Sequence, residues 1–173
     1  MKTKLLICLT AVMVLQACSS NSITNRKQLK LFPESALQQE AINQYKSFLN
    51  ESKVVSQNTS KDAEMVKRVG TRIAQAITTY YSQKGISAEL EGYNWEFNLV
   101  DSKDVNAWCM PGGKVVVYTG LLPVTQNEAA LAVVLGHEIT HAVAHHGNER
   151  MSQGALAQGL QVAGNIFTQN KAQ

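Results

Sequence analysis

The sequence predicts an α+β fold in which a small antiparallel sheet packs on a helix with the pattern His-Glu-x-x-His. Three observations predict this class. Apolar residues recur at helical spacing over 37–48 and 66–80, alternate along a strand at 95–99, and fill nearly every position of 129–144. With 173 residues, of which 45% are hydrophobic, the chain has the size for one hydrophobic core.

Residues 1–18 have the pattern of a bacterial export signal. Lys2 and Lys4 supply positive charge, and the eleven-residue apolar run that follows is shorter than the roughly 20 residues that span a bilayer. The ending "LQAC" resembles the lipobox of bacterial lipoproteins, which implies lipidation of Cys18. We therefore predict a lipoprotein signal peptide and a lipid anchor. The alternative is an ordinary signal peptide in which Cys18 is incidental.

The charge balance bears on nucleic-acid binding, and the cysteine content bears on disulfide bonds. Without Lys2 and Lys4, 14 basic residues remain against 13 acidic residues, a balance of +1. No strongly basic face stands out, so no nucleic-acid partner is expected. Cys8 lies in the signal and Cys18 is predicted to be lipidated, which leaves Cys109 without a disulfide partner. Cys109 is expected to be a small, buried apolar residue.

The mature chain is predicted to begin with a polar tether at 19–32, followed by one folded domain at 33–173. Pro33 suits the first turn of a helix and opens the first one. A second helix begins near Asp62, and Gly85 is expected to end it in a left-handed conformation.

Three strands and a turn are expected next. Alternation over 95–99 predicts a half-buried strand. Two further strands are expected in "VNAWCM" at 105–110 and "KVVVY" at 114–118, and the turn "PGG" at 111–113 connects them.

The helix that carries the motif has a predicted start and stop. Thr125-x-x-Glu128 fits a capping box, in which each side chain satisfies a free backbone N–H group. The apolar stretch 129–144 predicts a core helix that is covered on several sides. Gly147 is expected just past its end, and a further helix is expected over 149–168.

The sequence "HEITH" places His137, Glu138 and His141 on one helix. Residues four apart differ by about 40° in direction and about 6 Å in height, so both imidazoles can reach one ion. Zinc lies about 2.1 Å from such nitrogens and activates a water, whose proton Glu138 can accept. The alternative, polar side chains with satisfied hydrogen bonds, is disfavoured because chance gives about 0.005 such patterns. One Zn²⁺ ion is therefore predicted.

The third ligand is not apparent from spacing. His145 lies about 12 Å along the helix axis from His137, too far to share an ion with it. No Asp or Glu follows Glu149, while Asp101 and Asp104 upstream are candidates that nothing favours.

Two segments together resemble a known family. These are "NAWCMPGGKVVVYTGLL" and "NEAALAVVLGHEITHAVAHHGNERMSQ". They resemble the gluzincin metallopeptidases related to the CAAX prenyl endopeptidase and the HtpX membrane protease, in particular the bacterial periplasmic lipoprotein branch that includes LoiP and BepA. The resemblance covers about Asp62 to about Gln153. It implies a zincin-like peptidase domain with His137 and His141 as zinc ligands and Glu138 as catalytic base.

The resemblance also implies features outside the motif. The family takes its third ligand from a glutamate in a downstream E-x-x-A-D helix, so we expect this chain to be a fragment, incomplete at its C-terminus. The alternative is a natural short protein without activity. In zincins an edge strand binds the extended substrate, with Met110, Pro111, Gly112 and Gly113, or else 114–118, as candidates here. The turn at 111–113 can equally be only a turn.

The predicted function is a zinc-dependent metalloendopeptidase that hydrolyses peptide bonds in envelope proteins. The resemblance alone implies its substrates, unfolded or misassembled envelope proteins, and its place on the periplasmic side of the bacterial outer membrane. Two alternatives are a non-catalytic, chaperone-like lipoprotein that holds client strands at its sheet edge, and an inactive fragment that lacks the third zinc ligand.

Overall fold

The computed structural model of the protein describes the backbone of residues 18–169 and the side chains of residues 20–161. Apart from Cys18, the predicted signal peptide lies outside the described residues, so its cleavage and lipidation stay predictions. Within residues 18–169, no helix has both the length and the apolar content that a bilayer crossing needs.

From residue 34 onward the chain forms two helices, then a three-stranded sheet, then further helices, as the sequence predicts, and the α+β class is confirmed. In chain order the elements are β1 (Cys18–Ser20), β2 (Lys27–Leu29), α1 (Glu34–Glu51), α2 (Lys61–Gln83), a 3-10 turn (Ser87–Leu90), β3 (Glu96–Val100), β4 (Ala107–Met110), β5 (Lys114–Tyr118), a 3-10 turn (Thr119–Leu121), α3 (Leu122–Thr125), α4 (Glu128–Val143) and α5 (His146–Gln169). Contacts divide them into two units. The larger is the continuous stretch Glu34–His145, and the smaller combines the segments on either side of it.

In the larger unit, β3, β5 and β4 form one sheet in that order. β4 pairs antiparallel with β5, whereas β3 pairs parallel with β5, so the predicted antiparallel arrangement is wrong for one of the two pairs. The tight turn at 111–113 folds β4 and β5 into a hairpin, and the connection at 101–106 leaves β3 on the far side of β5. Side-chain alternation is the same in both arrangements and therefore cannot distinguish them.

The core of the larger unit lies between this sheet and helices α2 and α4. Its buried side chains include Val66, Val69, Phe97, Leu99, Val115, Val117, Leu131, Leu135 and Ile139. Full burial of one Val, Leu or Ile side chain contributes about 1.5–3 kcal/mol. Because the buried residues of α4 recur every four positions, they fix one side of this helix and leave the side of His137 facing outward. On that outward side Val133, one turn before His137, is 74% exposed.

The start of α4 differs from the predicted capping box. Asn127 is the N-cap, and its side chain accepts a hydrogen bond from the Ala130 N–H at 2.9 Å. Thr125 instead belongs to α3, where its hydroxyl donates to the Leu122 carbonyl at 3.2 Å. Gln126, with φ of 62°, separates the two helices. Asn ranks above Thr at the N-cap, so the cap predicted at Thr125 is wrong.

The end of α4 also differs from the prediction. The helix ends at Val143 with Ala144 as its C-cap, and His145 takes the left-handed conformation, φ 57°, that was expected at Gly147. Gly147 lies inside α5. A left-handed backbone costs a residue with a β-carbon about 1–2 kcal/mol, so contacts of the His145 side chain must offset that cost.

The tether predicted at 19–32 contains folded structure. β1 and β2 form an antiparallel hairpin, and Gln28 in it is buried. Arg26 donates to both carboxylate oxygens of Glu149 on α5, at 2.7 and 2.5 Å, and Gln28 donates to the same group at 3.3 Å. The hydrogen bond from Arg26 holds the pKa of Glu149 below its ordinary value. The polar residues of this segment thus have partners more than a hundred positions away, which spacing could not reveal.

Gly70 on α2 allows the helix to approach the sheet closely. A methyl group added there would lie 2.2 Å from the ring of Phe97. Gly70→Ala is therefore expected to lower the free energy of unfolding by about 1–3 kcal/mol. Gly136→Ala on α4 is the matched control, because nothing lies within 4 Å of the added methyl group. This variant should raise the free energy of unfolding by up to about 1 kcal/mol. Urea denaturation measures both, and a Gly70→Ala protein as stable as wild type would contradict the close approach.

Candidate metal centre

Helix α4 places His137 and His141 one turn apart on the side that is not buried in the core. His137 is exposed and His141 is half-buried. Their Nε2 atoms lie 3.0 Å apart, and the two rings are nearly perpendicular with centroids 4.5 Å apart. The two nitrogens therefore converge on one point beside the helix.

This convergence fits a shared metal ion. Imidazole nitrogens bind zinc at about 2.1 Å, so two of them on one tetrahedral ion are about 3.4 Å apart. The observed 3.0 Å differs from that separation by a few tenths of an ångström, which a small rotation of either ring supplies. Imidazole is also one of the donors that zinc prefers. His137 and His141 thus suit a zinc ion as two of its ligands.

In the part of the chain that the structure describes, no three side chains of His, Cys, Asp or Glu form a group that could hold a metal ion. Asp101 forms an ion pair with Lys53 at 2.5 Å, and the hydrogen bond from Lys53 holds the pKa of Asp101 below its ordinary value. Asp104 is exposed in the loop after β3. A third ligand outside the described residues therefore stays a prediction.

Glu138 follows His137 on α4 and is half-buried. Its charge acts on Cys109 of the neighbouring strand β4. Burial and then the Glu138 carboxylate raise the pKa of the Cys109 thiol to about 12. This shift favours the neutral thiol form of Cys109. Cys109 packs against the core, as expected for a small apolar residue, but it is half-buried rather than buried.

Strand β4 is an edge of the sheet and packs against α4. The Tyr118 N–H donates to the Asn106 carbonyl at 3.1 Å, and residues of an antiparallel strand alternate between bonding the neighbour and facing away from it. The backbone groups of Ala107 and Cys109 consequently point away from β5. Strand β5, residues 114–118, lies in the centre of the sheet, so its prediction as the substrate-binding edge is wrong.

The turn that joins β4 to β5 is held by its own backbone. Gly112 and Gly113 have φ of 79° and 81°, which favours glycine. The Gly113 N–H donates to the Met110 carbonyl at 3.2 Å, and both glycine carbonyls accept from amides at the start of the β3 segment, at 3.0 and 2.9 Å. These three hydrogen bonds stabilise the turn and connect it to β3. A substrate contact at Met110, Pro111, Gly112 and Gly113 stays a prediction, and Met110 is the one that lies on the edge strand.

His145 has partners that sequence reasoning missed. Its Nδ1 lies 3.0 Å from Oε1 of Glu34, and its Nε2 lies 3.3 Å from Oε2 of Glu89. Nearby, the Tyr93 hydroxyl donates to the Ala142 carbonyl at 3.0 Å, and burial raises the pKa of Tyr93, so the hydroxyl keeps the proton that it donates. No local sequence pattern marks these contacts, because each joins segments far apart in the chain.

Comparison with known proteins gives a family match over most of the chain. The model of a family described as Peptidase family M48 matches residues 60–173, which include the whole sheet and the pair of histidines. This match begins at the N-cap of α2, Ser60.

Individual relatives match parts of different lengths. Mitochondrial metalloendopeptidase OMA1 of Arabidopsis thaliana is 46% identical over 67 residues, 39% of this chain and 14% of that protein. Metalloendopeptidase OMA1 of Bos taurus is 34% identical over 145 residues, 84% of this chain and 26% of that protein. The β-barrel assembly-enhancing protease of Escherichia coli is 36% identical over 52 residues, 30% of this chain and 11% of that protein. The chain thus spans about a quarter or less of these relatives.

Proposed function

The chain belongs to peptidase family M48, and we propose that it acts as a zinc-dependent metalloendopeptidase. One observation carries the proposal: the Nε2 atoms of His137 and His141 lie 3.0 Å apart, and Glu138 lies on the same helix between them. The names of the relatives support it, because they describe metalloendopeptidases or a protease. Since the chain spans only part of their length, the activity of the whole protein is part of this proposal.

His137 and His141 would hold the zinc ion through their Nε2 atoms. A bound zinc ion supplies a Lewis acid that makes water a nucleophile near neutral pH. Glu138 takes up the proton of the attacking water on its carboxylate and delivers it to the leaving amine nitrogen.

The substrate we propose is an extended polypeptide that adds to the sheet along β4. Ala107 and Cys109 direct their backbone groups outward there, and main-chain hydrogen bonds give affinity with little dependence on sequence. Because β4 packs against α4, which carries Glu138, this edge runs beside the proposed catalytic base.

The location we propose is the bacterial cell envelope, with a lipid on Cys18 that anchors the protein to the periplasmic side of the outer membrane. The pattern of residues 1–18 supports the anchor. The relative named for β-barrel assembly supports substrates among unfolded or misassembled envelope proteins. The OMA1 relatives are named as mitochondrial, so membership of the family does not fix the location.

Metal removal tests the proposal on the full-length protein. Cleavage of fluorescent casein should disappear after dialysis against a chelator and return when one equivalent of Zn²⁺ is added. Mg²⁺ is the matched control and should not restore cleavage, because it prefers oxygen ligands to imidazole. A zinc-loaded protein that binds unfolded casein without cutting it would instead favour the non-catalytic, chaperone-like alternative.

A further inference from the structure

The backbone at the end of the motif helix is held in an unfavourable conformation by a residue that is not glycine. His145 follows the last turn of α4 with φ of 57°, and only 7% of its surface is exposed. Glycine makes the same left-handed turn without steric cost and is the common residue there. The backbone therefore does not call for histidine at this position, and its side chain must account for it.

That side chain joins three elements of the larger unit. Nδ1 lies 3.0 Å from Glu34, the first residue of α1, and Nε2 lies 3.3 Å from Glu89 in the 3-10 turn before β3. Glu34 and His145 are also the first and last residues of the larger unit, so this contact joins the two ends of the unit.

The contact acts on the turn that carries His141. The last four carbonyls of a helix have no partner within it, and helix ends fray unless other groups satisfy them. Here the His145 N–H donates to the Ala142 carbonyl at 3.0 Å, and the Tyr93 hydroxyl donates to the same carbonyl at 3.0 Å. The Ala144 N–H bonds the carbonyl of Thr140 at 2.9 Å. His141 lies in this turn, so the direction of its ring depends on the turn staying closed.

We propose that His145 is a positioning residue for the metal centre: by bridging Glu34 and Glu89 it anchors the last turn of α4 and thereby sets the position of His141. This assignment rests on the proposed function, because it presumes that His141 binds a metal. In this assignment His145 would not itself be a metal ligand.

Titration of the full-length protein with Co²⁺ tests the assignment, since the visible absorption of Co²⁺ reports ligand geometry independently of cleavage. His145→Gly and His145→Asn both tolerate the left-handed backbone but cannot bridge the two carboxylates. Both variants should bind Co²⁺ about 10-fold or more weakly than wild type, the usual effect of losing a group that orients a ligand. Their absorption bands should also change in intensity.

Asn127→Ala is the matched control for a general loss of helix stability. It removes the hydrogen bond from the Ala130 N–H and so destabilises α4 at its start, the end opposite to His145. Asn127→Ala should lower the midpoint of thermal unfolding in the same direction as the His145 variants while keeping wild-type Co²⁺ affinity and spectrum.

Three outcomes would overturn the assignment. Wild-type affinity and spectrum in both His145 variants would show that the residue only stabilises the fold. Equal weakening in Asn127→Ala would show a general effect of helix stability. Co²⁺ binding by wild type that survives replacement of both His137 and His141 would overturn the metal centre itself, and with it the proposed function.

Discussion

Glu138→Gln is expected to lower peptide cleavage by about 10²–10⁴-fold while the protein retains its zinc. Glutamine has nearly the size and shape of glutamate, but its amide cannot take up the proton of the attacking water. The buried side of α4, formed by Leu131, Leu135 and Ile139, is unchanged, so the fold should be retained. Initial rates on fluorescent casein, together with zinc content per protein, measure both quantities in the full-length enzyme.

Glu128→Gln is the matched control on the same helix. Glu128 lies in the first turn of α4, where it pairs with Arg68, and it is remote from the histidine pair. The same chemical change there should leave the cleavage rate within about twofold of wild type, because a surface ion pair contributes only about 0–1 kcal/mol. Undiminished cleavage by Glu138→Gln would rule out Glu138 as the base.

His141→Ala and His137→Ala are each expected to weaken zinc binding on the order of 100-fold or more. Loss of a group that only hydrogen-bonds to a metal ligand already lowers metal affinity about 10–100-fold. Cleavage should fall in parallel with zinc content. His137 is exposed, so the thermal unfolding of its metal-free variant should match that of metal-free wild type. Zinc titration with a competing chelator, followed by circular dichroism, separates affinity from folding.

His146→Ala serves as the matched control for these two variants. His146 begins α5, in the smaller unit, and is not one of the converging pair. It should retain wild-type zinc affinity. Zinc binding that is lost in His146→Ala but kept in His141→Ala would show that a different set of ligands holds the metal.

Local patterns predicted the elements, whereas competition between neighbouring residues decided their ends. The strand at 114–118 occurs as predicted because its run of three valines, which favours a strand, lies between turn residues. The start of α4 moved from Thr125 to Asn127 because two polar residues close together can each cap a helix, and Asn does so better. On α2, Tyr81 is buried, with 3% exposed, and Tyr80, which the pattern favoured, is 45% exposed. The apolar side of α2 thus continues from Ile77 to Tyr81, four residues later, and not to Tyr80, three residues later.

The candidate site divides in the same way between local and distant contacts. The spacing of His137, Glu138 and His141 follows from helix geometry alone, so the sequence could predict their convergence. The proximity of Cys109 to Glu138 depends on which strand forms the sheet edge, and side-chain alternation does not carry that information. The carboxylates that hold His145 were unpredictable for a similar reason, since they lie on elements far away in the sequence.

The division of the chain into a continuous and a discontinuous unit has a consequence for the order of folding. Every contact within Glu34–His145 is available once residue 145 has been synthesised. The segment of β1 and β2 must wait, because Arg26 in it and Leu31 just after it bind Glu149 and Ser152 of α5, which are synthesised later. Bringing this segment and α5 together closes a loop of more than a hundred residues, and the loss of chain entropy precedes the contacts that offset it. In nascent chains that end at residue 145 the larger unit should therefore be able to fold, while the segment of β1 and β2 still lacks the hydrogen-bond partners that α5 supplies.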